Sequence, residues 1–258
     1  MKLQLLKTNL SVVQKICLSG LFIALVVVLQ KVVAINYLAF APFVRVSLGG
    51  PALIIFSSIL LGPIYGMFIG LASDLLGYFV FDASGFPLFL QVTAIYALLG
   101  FVSYFVFSLV LSIRNSKALK IIEIAFTSII WVGISLFVLL NNQITPFSTT
   151  YQLTPLTKAL VISISGFIFL AIILMSFLIK PKDDSVYASP LHICFASFIC
   201  DFFVLVLFGS AMKAWAFVNS TFIAILISQA LIMFFNVFID TVLISAFQHF
   251  CKKYYISR

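Results

Sequence analysis

Long apolar runs recur along the whole chain, at about residues 16–35, 64–81, 87–111, 121–140, 158–179, 191–209 and 221–248. Several reach the roughly 20 residues that a helix needs to cross a hydrocarbon core about 30 Å thick. Inside that core every backbone amide must be bonded within the chain, which leaves helices or a closed barrel. Runs of this length exclude barrel strands of about 10 residues. The expected fold is therefore all-α, a polytopic membrane helical bundle forming one integral membrane domain over residues 1–258. Composition agrees, since 64% hydrophobic and 9% charged residues leave more apolar surface than a soluble domain can hide.

An eighth, shorter apolar segment occupies about residues 51–61. At 1.5 Å per residue it covers only about half the hydrocarbon thickness. Either it begins earlier, near Phe43, or irregular backbone lines a cavity before it. Gly62-Pro63 separates it from the next helix, because proline removes an amide donor and biases the preceding residue away from helix. Eight elements leave Lys31, Arg45, Lys158 and Lys213 on one side and the remaining Lys and Arg on the other. The positive-inside rule then expects both termini in the cytoplasm and a multi-pass protein of the cell membrane. Merging 51–81 into one helix leaves nearly the same charge bias, so Gly62-Pro63 carries the decision. The basic N-terminal segment leads into an apolar run long enough to remain a helix, with no small-residue cleavage site standing out. The net charge of +8 reads as an orientation signal, and its scatter over short loops argues against a nucleic-acid partner.

From the Gly62-Pro63 break into the 64–81 run, Gly62, Gly66 and Gly70 recur at four-residue steps, and Asp74 stands one step further on. Residues four apart share a helix face, so this stripe admits a neighbouring backbone closely beside a carboxylate. A charge in a membrane helix costs about 2.5–3.5 kcal/mol on insertion scales, which makes Asp74, Asp201 and Asp240 informative. Asp74 reads as a ligand contact or as a helix-packing hydrogen bond. Asp201 and Asp240 read as interhelical brackets, protonated or paired. Gln91, Thr93 and Tyr96 form a polar cluster at the start of the 87–111 run, placed to face a ligand from outside. Arg45 stands in an outer loop otherwise without charge, where a guanidinium suits a carboxylate or flat heteroaromatic ring. A headgroup anchor is the alternative. Lys213 and Trp215 are expected in the last outer loop, closing a pocket or forming part of an interfacial belt. In the first helix, Gly20 and Ala24 make a small-x-x-x-small pair suited to a partner helix or to internal packing.

Cys17, Cys194, Cys200 and Cys251 lack metal-ligand spacing, and His192 and His249 stand apart from any carboxylate at such spacing. No metal site and no cofactor are expected. Phosphate-binding glycine loops, nucleophile elbows and paired catalytic carboxylates are also missing from the sequence, so the chain is not read as an enzyme. Any ATP hydrolysis that drives transport belongs to another subunit.

Taken together, Arg45 with Gly49-Gly50-Pro51, then Gly62-Pro63-x-x-Gly66-x-x-x-Gly70-x-x-x-Asp74-Leu-Leu-Gly77-Tyr78, then Phe86-Pro87-x-Phe89 leading to Tyr96 and Gly100, resemble the folate-family substrate-binding (S) component of energy-coupling-factor (ECF) vitamin transporters. The resemblance covers about residues 16–110 and, more loosely, 191–248. It departs from the family at Leu88, where Phe-Pro-Gly-Phe is usual, and near Asn219 and Ser220, where an arginine is usual. It implies a core of about six helices over 1–115 and 186–258, with 116–185 as an inserted transmembrane hairpin. The outer loop of that hairpin, Asn141 to Thr157, is uncharged and long enough to cover a pocket or touch another protein. The resemblance also implies a folate-like vitamin as ligand, with Tyr78 and Phe86 joining Arg45, Asp74, Gln91, Tyr96, Lys213 and Trp215 as substrate-binding residues. The implied partners are a transmembrane coupling (T) component and two cytoplasmic ABC-type ATPases. Another vitamin such as pantothenate or riboflavin, a membrane scaffold and a lipid-metabolism enzyme are the rival readings.

Overall fold

In a computed structural model, the chain is described at residues 10–33, 49–81, 89–113, 116–145, 150–178, 189–216 and 221–251. Helix α1 (Val12–Val27) continues through a π-helical turn at Val28–Val32. It begins four residues before the apolar run because Ser11 and Gln14 form a capping box, each side chain accepting from the other's backbone N–H at 2.9 and 3.3 Å. Helices α2 (Gly50–Leu61), α3 (Pro63–Phe81), α4 (Leu90–Ser112) and α5 (Ser116–Leu140) follow. Strands β1 (Gln143–Ile144) and β2 (Tyr151–Gln152) pair antiparallel, with Gln143 opposite Gln152. Then come α6 (Pro155–Leu178), α7 (Pro190–Cys200), a π-helical segment at Asp201–Phe208, α8 (Gly209–Ala216) and α9 (Phe222–Cys251).

Among the described residues seven helices are long and apolar enough to cross a membrane, which makes the chain a multi-pass membrane protein. Large apolar side chains such as Leu109, Ile129 and Phe167 point outward from them, as a lipid-facing surface requires. Helix α2 is the exception. It has 12 residues, is buried at every position except Leu60, and packs against α1, α3, α4 and α9. A helix apolar all round belongs in an interior, and this one is wrapped by protein. It ends at Gly62, whose φ of 106° lies where only glycine is unstrained, and Pro63 opens α3.

Two apolar cores share the bundle. One gathers α2 with its neighbours, where Phe56 meets Phe22 edge-on at 6.0 Å and stacks on Phe247 at 5.3 Å. The other lies between α5, α6, α7 and α9. There Trp131 stacks on Phe169 at 5.2 Å, over the flat surface that Gly166 leaves beside the indole. Lys158 fastens the tip of the α5–α6 hairpin, donating from Nζ to the Leu139 carbonyl and to Asn142 Oδ1, each at 2.9 Å. That satisfies one of the orphan carbonyls at the end of α5.

The last outer loop expected around Gly209–Trp215 is instead helical. A single glycine does not stop a helix, and Ser-Ala-Met-Lys-Ala-Trp contains neither proline nor a β-branched residue. The chain therefore continues from α7 through the π segment into α8, and Lys213 is carried against α9.

Candidate functional site

The glycines of α3 set its distance from α4. A methyl group at Gly66 would sit 2.7 Å from the Gly100 carbonyl oxygen, and one at Gly70 would collide with the Tyr96 carbonyl. Gly100 faces Gly66 in return. The two backbones touch, an approach that any side chain would forbid. One turn beyond Gly70 the same face presents Asp74, which is buried, and Thr93 of α4 reaches it. Thr93 Oγ1 donates to Asp74 Oδ2 at 2.6 Å. Gly77 continues the stripe as a groove for the Lys31 side chain, whose Cε would lie 2.9 Å from a Cβ placed there.

Helix α8 brings the opposite charge. Lys213 Nζ donates to Gln229 Oε1 of α9 at 2.9 Å and lies within electrostatic reach of Asp74. Asp74, Thr93, Lys213 and Gln229 thus join four helices in one polar cluster. A charge alone in a membrane costs about 2.5–3.5 kcal/mol on insertion scales. Hydrogen bonds to charged groups return about 1.5–3 kcal/mol each. An opposed pair with a hydroxyl and an amide as partners is therefore tolerable where either ion alone is not. The cluster can bind a ligand with both donor and acceptor groups, since its ammonium donates and its carboxylate accepts.

Other predicted residues fall at varied distances from this centre. Tyr96 is half-buried on α4 and lends its carbonyl to the Gly70 contact. Gln91 is half-buried near the start of α4, and Tyr78 packs edge-on against Phe79 at 5.4 Å. Trp215 is 75% exposed, as a residue of an interfacial belt would be. Arg45 and Phe86 lie outside the described residues. Gly20 and Ala24 are exposed, and among the described residues a Cβ at Gly20 would meet nothing within 4 Å.

Gln229 and Lys31 escaped sequence reasoning. Gln229 is one amide in a long apolar run, with nothing local to separate it from a packing residue. Lys31 reads as a boundary charge until the Gly77 groove is seen. Glu123 is buried on α5 beside Cys194 of α7. His192 closes a helix start, its Nδ1 at 2.6 Å from Ser189 Oγ and its Nε2 at 3.1 Å from the Ile113 carbonyl. Cys194 and Cys200 are buried and Cys17 is exposed. Among the described residues no three His, Cys, Asp or Glu side chains gather to hold a metal. No family model, curated protein or solved structure matches the chain.

Proposed function

We propose that the chain is the membrane-embedded substrate-binding subunit of an ECF-type vitamin importer, taking folate or a related pterin at the outer face. The single observation that carries this reading is the Asp74–Thr93–Lys213–Gln229 cluster, buried at Asp74 and Thr93 and half-buried at Lys213 and Gln229, beside the glycine-packed α3–α4 pair. A pterin offers a flat ring edge of donors and acceptors for the carboxylate and hydroxyl, and folate carries carboxylates that Lys213 and Arg45 would meet. On this reading α1–α4, α7–α8 and α9 are the six-helix core, and α5–α6 are the inserted hairpin. The charge bias sets both termini in the cytoplasm. The exposed Gly20 and Ala24 surface of α1 serves a T component, which two ABC-type ATPases drive, because small residues let a second helix approach closely.

The test is equilibrium binding of labelled folate to the purified chain in detergent, with Lys213→Ala and Arg45→Ala beside it. Tight binding weakened in both variants is expected. Displacement by riboflavin or pantothenate, with folate inert, would replace the ligand and keep the transporter. No binding of any of the three to a folded chain would sink the reading.

A further inference from the structure

A second polar cluster lies between α7 and α9, and the vitamin reading makes no use of it. Asp201 and Asp240 are both fully buried, and each acts electrostatically on the other. Ser197 stands one helical turn before Asp201, and Asn236 one turn before Asp240. The Ser197 turn is regular α-helix, closed by the bond from the Asp201 amide to the Ser197 carbonyl. Residues four apart share a face, so each pair projects toward the seam. Among the described residues, both oxygens of each aspartate, Ser197 Oγ and Asn236 Oδ1 are buried and make no hydrogen bond. That is six oxygen atoms without a partner, where native interiors pair nearly all of theirs.

Groups acting on the two carboxyls, besides each other, are the Cys200 thiol and the Ala52 amide. None is a cation. The Ala52 amide faces Asp240 without completing a hydrogen bond, from the uncapped first turn of α2. That turn lies inside the bundle: a side chain at Gly50 would strike Gln30 of the α1 extension, and one at Gly49 would strike Leu243 of α9. A half-length helix therefore aims its positive end at the carboxyl pair from within the bundle, where it favours negative charge on them. The π segment that begins at Asp201 is a further local departure of the kind found at functional sites.

We infer that Ser197, Asp201, Asn236 and Asp240 form a binding site for one sodium ion. The donor set is all oxygen, which suits a hard cation, and two ligands spaced four apart on one helix face are a recurrent way to grip a metal. A proton shared by the aspartates would engage only the atoms between them and leave the serine and asparagine oxygens unsatisfied. One coordinated cation engages all four side chains. The positive end of α2 helps offset the negative charge that a monovalent ion leaves behind.

Ligand-free chain in detergent serves for the test, so failure of vitamin binding would leave this inference standing. Thermal unfolding is measured in sodium chloride, in choline chloride at equal ionic strength, and with added calcium, alongside radiolabelled sodium binding. A midpoint that rises with sodium, one sodium bound per chain, and loss of both in Asp201→Asn and Asp240→Asn are expected. Should those variants misfold, Ser197→Ala keeps both carboxylates and is expected to weaken sodium binding on the order of tenfold, the equivalent of one lost contact to a charge. A midpoint indifferent to sodium, stabilisation by calcium alone, or a sodium response unchanged in the folded variants would overturn the assignment. So would a response to pH without any response to sodium.

Discussion

Replacing Gly70 by alanine adds one methyl group at the point where α3 meets the Tyr96 carbonyl of α4. The obstacle is backbone, so relief requires the helices to part rather than a side chain to turn. Overpacking of this kind costs about 1–3 kcal/mol. Parting the helices also stretches the hydrogen bond from Thr93 to Asp74, one turn away and 2.6 Å long, which is worth about 1.5–3 kcal/mol when the acceptor is charged. Alanine's better helix propensity returns about 1 kcal/mol. The net expectation is a loss of about 0–2 kcal/mol if the hydrogen bond only stretches, and about 1.5–5 kcal/mol if it breaks outright. Gly133→Ala is the matched control, since its methyl meets nothing within 4 Å and only the propensity gain remains. Thermal or denaturant unfolding of both variants in the same detergent gives the comparison, and Thr93→Val isolates the hydrogen bond. If Gly70→Ala proves as stable as Gly133→Ala, the glycine stripe does not set the helix separation and the argument from it to Asp74 fails.

A double-mutant cycle with Asp74→Asn and Lys213→Gln is expected to give a coupling of about 0.5–3 kcal/mol in unfolding free energy, and strict additivity would show that the two charges act independently. Gly62→Ala is expected to destabilise by about 1 kcal/mol or more, because alanine tolerates a φ of 106° poorly; unchanged unfolding would mean that the α2–α3 break relaxes without strain. Gly20→Leu should leave folding and folate binding intact, since the site is open, and should abolish pull-down of a T component. Undiminished pull-down would remove α1 as the docking face.

How far the sequence carries can be judged from particular elements. The short second helix was legible, because Gly62-Pro63 ends it for reasons local to the backbone, and both its brevity and its separation from α3 appear in the structure. The glycine stripe was legible too, since a four-residue step is a helix face wherever the helix lies. Lys213 was singled out for its charge, yet its expected loop is a helix, because Gly209 alone does not stop one; that α8 then packs against α9 is a matter of the bundle. Trp215, two residues on, was read as closing the same pocket or as part of an interfacial belt, and it is exposed.

The chain's own chemistry determined the class of fold, since about 20 apolar residues in succession admit few structures in lipid. It likewise marked which helix faces would approach closely and which carboxylates would be costly. Partners were a matter for the tertiary structure. Asp74 lies 19 positions from Thr93, and Lys213 lies 16 from Gln229. Asp201 meets Asp240 only where α7 and α9 pack side by side. Local sequence sets the direction in which a side chain leaves its helix, but the group that it meets depends on how separate helices are rotated and stacked, a property of the whole bundle.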